Sequence, residues 1–205
     1  MKLLGKQALL NSLASDDENT IFLDPLLESK QIGNVSIDLR LGYDFQVSIL
    51  TRKPYIEIGK KEGHFSRGIN SYFQRTRRDI GDKFVLYPNQ VVLTTSLEYL
   101  ALPSNMYADV LSRSSYTRLG IHINTMVQPG FRGCVPLELF NHSNNAIELV
   151  VGSRICQTRI FEIETQDGYD LSRRKYYGNV RPVTSKADND YDIDKLNAIK
   201  TKTLV

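Results

Sequence analysis

Three short stretches of the sequence combine residue types that could bind a charged ligand or move a proton. In the first, SRSSYTRLG (residues 112–120), Arg113 and Arg118 flank two adjacent hydroxyls. The hydroxyls belong to Ser114 and Ser115. Arginine binds phosphate oxygens through paired N–H groups, and serine adds short hydrogen-bond donors. The pattern therefore indicates an anion-binding turn, and an ordinary structural turn is the alternative.

The second stretch, QPGFRGCVPLELFN (residues 128–141), contains a carboxylate inside an apolar strand pattern. Alternation places Val135, Leu137 and Leu139 on one face and Glu138 on the other. Carboxylates are seldom buried unless they are paired or functional. Burial raises the pKa of a carboxylic acid toward the range in which it can take and return protons. Glu138 is therefore a candidate for proton transfer, and the alternative is a glutamate on the wet face of an edge strand.

The third stretch, GYDLSRRKYYGN (residues 168–179), sets aromatic rings beside cations. Such a segment could fold over a charged ligand, and a solvated terminus is the plainer interpretation. The surrounding tail, residues 165–205, is polar and offers little material for a core. We expect it to be disordered or to become ordered on a ligand or a neighbour.

Other kinds of site lack their motifs. The chain has no GxxxxGK[ST], GxGxxG, HExxH or GxSxG motif. The sequence therefore gives no support for a phosphate-binding loop, a dinucleotide site, a zincin metal site or the nucleophile elbow of a hydrolase. Cys134 and Cys156 are too few for a disulfide framework or a structural zinc site. The histidines, His64, His122 and His142, do not stand at ligand spacing with either cysteine. The sequence therefore predicts no zinc.

The composition is that of a soluble cytoplasmic protein with one core. The 205 residues carry 26 Lys and Arg against 23 Asp and Glu, a net charge too small to indicate nucleic acid or membrane as a partner. No apolar run approaches the roughly 18 residues of a membrane-spanning helix. The beginning of the chain also lacks a signal-peptide cleavage pattern.

These candidate residues must be positioned mainly by strands. Residues 2–14 have near-helical apolar spacing, whereas residues 35–50 alternate with the period of a strand. From residue 84 to residue 164 short strand patterns follow one another between turn residues, which predicts an antiparallel sandwich or barrel.

Residues 51–83 differ from this pattern. They are basic and weakly periodic, which predicts an exposed, variable excursion. Its arginines near Tyr72 and Phe73 leave open a nucleic-acid patch, and a solvated loop or arm is the plainer interpretation.

Taken together and in order, five segments resemble the deoxycytidine triphosphate (dCTP) deaminase family, relatives of the trimeric deoxyuridine triphosphatases. The segments are IFLDPLLESKQIGNVSIDLRLG (21–42), LTTSLEYLALP (93–103), SRSSYTRLG (112–120), PGFRGCVPLELFN (129–141) and GYDLSRRKYYGN (168–179).

The resemblance implies a fold, an assembly and a reaction. The fold would be one domain over residues 1–205, a mainly β, distorted antiparallel barrel of jelly-roll type with a short N-terminal helix and minor helical segments. The family forms homotrimers with active sites between subunits. It deaminates dCTP to dUTP and ammonia and binds Mg²⁺ with the triphosphate, without zinc. The His-x-Glu and Pro-Cys-x-x-Cys signature of zinc nucleobase deaminases is also absent.

Roles follow from matching positions. By resemblance, Glu138 would shuttle protons, while Ser114 and Arg118 would hold the attacking water and orient Glu138. The triphosphate would be bound by Arg113, Ser115, Tyr169, Lys175 and Asn179.

Several positions depart from the family pattern. Gln128 replaces an aspartate that contacts the sugar 3′-hydroxyl in the family and positions water in the related triphosphatases, which argues against triphosphate hydrolysis. Pro136 replaces a residue whose backbone lies beside the base, and it lacks an N–H. Asn179 replaces a longer glutamine. His122 is displaced, so regulation by dTTP as an inhibitor is not carried over to it. The alternatives are a bifunctional deaminase and dUTP diphosphatase, a non-catalytic nucleotide-binding paralogue and, last, a nucleic-acid-binding module.

Overall fold

The chain folds mainly into short β-strands, as the computed structural model shows. The strands are β1 (Lys2–Leu3), β2 (Phe22–Asp24), β3 (Ile37–Arg40), β4 (Asp44–Ser48), β5 (Phe73–Arg77), β6 (Lys83–Leu86), β7 (Val91–Ala101), β8 (Met106–Ser112), β9 (Ile121–His122), β10 (Asn124–Val127), β11 (Arg132–Asn141), β12 (Ile147–Val150) and β13 (Arg154–Glu162). The α-helices are α1 (Lys6–Leu13) and α2 (Ser114–Thr117), and 3-10 turns cover Ser29–Gln31 and Ile69–Tyr72. The structure describes residues 1–15, 17, 19–52, 55–56, 58, 68–164, 175–187, 192, 195–196 and 198–199.

The strands pair antiparallel throughout these ranges, which confirms the predicted mainly β, antiparallel fold. One sheet has the order β1-β13-β8-β10 with β3 also on β13, and a second has the order β5-β4-β7-β11-β9 with β2 also on β7. A third sheet is the pair β12-β6. The described strands therefore form three sheets and not one closed barrel, with a single apolar cluster packed between them.

Two predicted elements differ from the observed ones. The N-terminal helix begins at Lys6 and not at residue 2, because Lys2 and Leu3 pair with the end of β13. The predicted strand over residues 35–50 is two strands, because Gly42 bonds to the carbonyl of Thr95 and approaches it closely. A Cβ on Gly42 would lie 2.6 Å from that oxygen.

The excursion predicted over residues 51–83 is only partly irregular. Its second half contains β5, which pairs with β4 over five residues. Tyr72 is only 5% exposed, so its ring is not available to stack on a base. The interpretation of this segment as a nucleic-acid patch loses one of its two aromatic residues, and most of residues 53–67 lie outside the described part of the chain.

Strand β11 lies between β7 and β9 and carries the candidate site. Its burial alternates as predicted, with Val135, Leu137 and Leu139 buried and Glu138 exposed on the opposite face. The pairing with β7 contains a bulge. Cys134 pairs with Tyr99, and the next pair is Pro136 with Thr95, so two steps along β11 correspond to four steps along β7. Val135 alone therefore faces three residues of β7, and its N–H donates to the hydroxyl of one of them, Ser96, at 2.8 Å.

Candidate functional site

Glu138 lies on the outward face of β11, where its carboxylate accepts a hydrogen bond. The donor is the Thr125 hydroxyl on β10, which bonds to Oε2 of Glu138. Of the two alternatives for Glu138, burial in an apolar environment is therefore wrong for the single chain, and the outward face is observed. Nothing in the sequence pattern had indicated Thr125 as a partner, because the pair joins strands of two different sheets.

A cavity of about 360 Å³ opens beside Glu138. Its wall is mostly apolar, which suits a planar ring, and a few polar groups are interspersed. The lining residues from β7 and β11 include Leu93, Thr94, Thr95, Cys134, Pro136 and Glu138. The opposite wall is the C-terminal segment, which contributes Tyr176, Asn179, Arg181, Pro182, Val183 and Ser185.

Pro136 borders a second cavity as well. This neighbouring space, of about 340 Å³, is also lined by Gln128, Lys175 and Tyr176. Pro136 lies next to the bulge of β11, opposite Thr95. The predicted residues Gln128, Pro136 and Lys175 are thus brought together, and Pro136 connects them to the cavity of Glu138.

The C-terminal segment 175–187 packs against β11 through its backbone. The Gly178 N–H donates to the Arg132 carbonyl at 2.8 Å, and the Cys134 N–H donates to the Asn179 carbonyl at 3.0 Å. Gly133 makes this docking feasible, because a Cβ there would lie 2.6 Å from the Asn179 oxygen and its φ is +148°. This part of the tail is therefore ordered on its own sheet, in contrast to the prediction for residues 165–205.

Side chains reinforce the docked segment farther along. The Gln46 amide donates to the Pro182 carbonyl, and the Thr184 hydroxyl bonds to the Asn70 side chain. Arg181 pairs with an Asp44 oxygen at 3.5 Å. Tyr169, predicted from the same motif, lies outside the described residues.

Arg113 is fixed by a buried carboxylate. Its Nε lies 3.6 Å from Oδ2 of Asp38, and its guanidinium also donates to the Arg154 carbonyl at 3.1 Å. Asp38 is shared with the Arg154 guanidinium at 3.4 Å and the Gln157 amide at 3.1 Å. Asp38 comes from the SIDLRLG stretch, so two of the sequence segments meet here.

Ser114, Ser115 and Arg118 of SRSSYTRLG are not bonded to Glu138 in the single chain. Ser114 and Ser115 are exposed in the short helix α2, and Arg118 is exposed directly after it. Across the part of the chain that the structure describes, their side chains form no hydrogen bond or ion pair. The predicted catalytic group of Glu138, Ser114 and Arg118 is therefore not assembled within one chain.

A second carboxylate, Glu98, is fully buried behind the site. It accepts hydrogen bonds from the Gln31 amide at 3.0 Å and the Arg40 backbone N–H at 2.9 Å. Burial raises the pKa of Glu98, and these hydrogen bonds together with the Arg40 charge oppose that rise. Its hydrogen bonds tie β7 to β3 and to the 3-10 turn at Gln31, so it has a structural place in the fold.

The two cysteines are weak nucleophiles in this fold. Burial, with a smaller contribution from the charge of Glu98, raises the pKa of the Cys134 thiol to about 11. Burial raises the pKa of Cys156 still further. Since the thiolate is the reactive form, Cys134 lines the cavity as a neutral thiol at neutral pH.

The fold and the site together define a β-rich domain in which an exposed carboxylate lies beside a cavity. That cavity is large enough for a planar ring, and the C-terminal segment forms one of its walls. Residues 4–163 match the model of the dCTP deaminase-like family, and the chain therefore belongs to that family. A relative from Methanobrevibacter smithii, named dCTP deaminase, dUMP-forming, is 34% identical over 87% of this chain and 93% of its own. The dCTP deaminase of Haloarcula marismortui is 31% identical over 85% of this chain and 90% of its own.

A solved structure gives the same fold. The crystal structure of 2′-deoxycytidine 5′-triphosphate deaminase from Agrobacterium tumefaciens superposes with a TM-score of 0.57 and 24% identity over 78% of this chain. The match covers 48% of that chain, so this protein spans about half the length of the solved one. Within the described residues, no helix is both long and apolar enough to cross a membrane.

Proposed function

We propose that this protein deaminates dCTP by hydrolysis. The observation that carries the proposal is Glu138, an outward carboxylate that borders a mostly apolar cavity under the C-terminal segment. A carboxyl group in this position can serve one substrate as base and then as acid. The relatives named dCTP deaminase, which share about a third of their residues with this chain, make cytosine the expected base.

The proposed reaction moves two protons through Glu138, one after the other. The carboxylate takes a proton from water as the water oxygen attacks C4 of cytosine, and delivers it to N3. It then takes the proton of the new C4 hydroxyl and delivers it to N4, so that the C4–N4 bond breaks, the C4 carbonyl forms and ammonia leaves. The products are dUTP and ammonia, so one water is consumed and the atoms balance.

A homotrimer would complete this site. Ser114 in α2 and Arg118 directly after it are exposed, and neither side chain forms a hydrogen bond or ion pair with Glu138 among the described residues. A neighbouring copy that presents them at the cavity would supply the groups that hold the water and orient Glu138. Cyclic assembly would repeat the same contact at every interface.

The triphosphate would be held by cations, hydroxyls and an amide. Arg113 and Ser115 would bind it from the beginning of α2, and Lys175, Asn179 and Tyr169 from the tail. The arginine and the lysine bind phosphate oxygens and cannot serve as metal ligands. Mg²⁺ would therefore enter with the nucleotide, neutralise part of its charge and use phosphate oxygens as ligands. The absence of zinc stays a prediction.

A direct assay tests the proposal. Purified protein with dCTP and Mg²⁺ should lose cytosine absorbance and release ammonia, and CTP, dCMP and dUTP serve as comparison substrates. Glu138→Gln should abolish turnover and retain nucleotide binding. A folded protein that binds dCTP tightly without product would instead be a non-catalytic nucleotide-binding paralogue, and dTTP added to either assay reveals whether it inhibits.

A second candidate reaction ends at dUMP. The relative from Methanobrevibacter smithii is named dUMP-forming, and so are two further relatives at 34% identity. Gln128 weighs against this reaction, because an amide cannot take a proton from water as the aspartate of the related triphosphatases would. Chromatography of the products decides: dUMP with pyrophosphate supports the dUMP-forming reaction, and dUTP alone supports simple deamination.

A further inference from the structure

We infer that Thr125 is a positioning residue that fixes which oxygen of Glu138 handles protons. The inference rests on the proposed function and adds a residue that belongs to none of the five family segments. Its basis is the hydrogen bond from the Thr125 hydroxyl to Oε2 of Glu138.

The fold holds Thr125 rigidly in this place. Its backbone pairs with Val110 in the antiparallel ladder of β10 and β8. Its neighbours in the strand, Asn124 and Met126, are exposed, whereas Thr125 is half-buried and faces β11. A β-branched side chain has few χ1 choices, so the hydroxyl direction is largely set by the backbone. Thr125 therefore connects two sheets at the carboxylate.

The contact divides the two carboxylate oxygens between two tasks. Oε2 is occupied by the hydroxyl, while Oε1 has no hydrogen-bond partner among the residues that the structure describes. A proton taken from water then goes to Oε1, the oxygen that remains open. Because Thr125 donates to Oε2, the proton does not bind to that oxygen. A proton on Oε2 would lie too far from the substrate to be passed to N3 or to the amino group.

The hydroxyl also stabilises the charged carboxylate, since a hydrogen bond donated to the ionised form favours that form. The other titratable or charged side chains lining the cavity are Cys134, Tyr176 and Arg181. None of these donates to Glu138, and Arg181 is paired with Asp44. Among the residues that the structure describes, the Thr125 hydroxyl is therefore the side-chain donor that holds the Glu138 carboxylate.

The experiment compares Thr125→Val, Thr125→Ser and the matched control Thr76→Val in the full-length protein. Thr76 is also a half-buried strand threonine, but its hydroxyl accepts a hydrogen bond from Arg78 and forms none with Glu138. The measurements are kcat and KM for dCTP.

Thr125→Val should lower kcat about tenfold, the effect of roughly one charge-assisted hydrogen bond, with KM changed less than about threefold. Thr125→Ser should restore kcat, and Thr76→Val should match wild type.

Each outcome has one meaning. Absence of dCTP turnover by the wild type defeats the proposed function, and the inference with it. Wild-type turnover with an unchanged kcat in Thr125→Val defeats the inference alone. A lowered kcat that serine does not rescue, or a loss that falls on KM and not on kcat, also overturns it, because loosened packing would produce that result. If the valine variant does not fold, Thr125→Ala is measured in its place against the same serine variant.

Discussion

Two inactive variants should restore activity to each other if the site lies between copies. Glu138 and Arg118 form no ion pair in one chain, so each proposed site draws its carboxylate from one subunit and its cation from the next. Glu138→Gln removes the first group and Arg118→Ala removes the second. Expressed separately, each variant should form trimers in which every site lacks one essential group.

The expected recovery follows from the geometry of a ring of three. In any mixed trimer, only one of the junctions joins an intact Glu138 to an intact Arg118. Random mixing of equal amounts makes about three-quarters of the trimers mixed, so about a quarter of all sites should be intact. Co-expressed variants should thus show about a quarter of the wild-type kcat per subunit, with an unchanged KM.

The assay is dCTP turnover by the co-expressed and co-purified variants, with mass spectrometry to verify equal amounts and light scattering to establish the trimer. Activity no greater than that of the separate variants, in trimers shown to be mixed, would refute a site shared between subunits. A monomer with full wild-type turnover would refute it as well.

Three further predictions concern other parts of the site. Asp38→Asn removes the charge that holds Arg113, so KM for dCTP should rise about three- to tenfold with a smaller change in kcat, and steady-state kinetics showing an unchanged KM would contradict this role. Gly133→Ala should undock the tail, because its Cβ would meet the Asn179 oxygen at 2.6 Å. We expect faster proteolysis after residue 175 and a loss of about 1–3 kcal/mol in the free energy of unfolding, and equal cleavage rates would exclude the docking argument. Since burial raises the pKa of Cys134 to about 11, its alkylation by iodoacetamide in the native protein should speed up about tenfold per pH unit between pH 7 and pH 10. A rate that levels off below pH 9 in mass spectrometry would be inconsistent with that pKa.

Strand content was predictable from the sequence because period-two alternation reports burial directly. The alternation along β11, with Glu138 opposite Leu137, is the clearest case. Where the prediction was wrong, long-range pairing overrode local pattern. Residues 2 and 3 have helical spacing, yet they add a short strand to β13, which lies about 160 residues later in the chain.

The candidate site was predictable only in part. Residues carried by contiguous motifs, such as Pro136 and Lys175, do converge on neighbouring cavities. Thr125 and Asp38 could not be assigned their partners, because those contacts depend on how separate sheets pack. Whether Ser114 and Arg118 reach Glu138 depends on assembly, a property that a single chain does not contain.

The bulge between β7 and β11 also constrains how the length of this chain can change. One residue of β11 faces three of β7 there, so the excess on β7 is an even number, and the inward and outward positions keep the same phase on both sides of it. Deleting one residue of the excess would put the two halves of the sheet out of phase, and either the apolar side chains of one half or Glu138 would end on the wrong side. Deleting two would keep the two halves in phase, although it would also remove Ser96 or Glu98 and the hydrogen bonds that they accept. Glu138 thus stays on the outer face only while the number of extra residues in β7 is even, and the length of this segment can change only by two residues at a time.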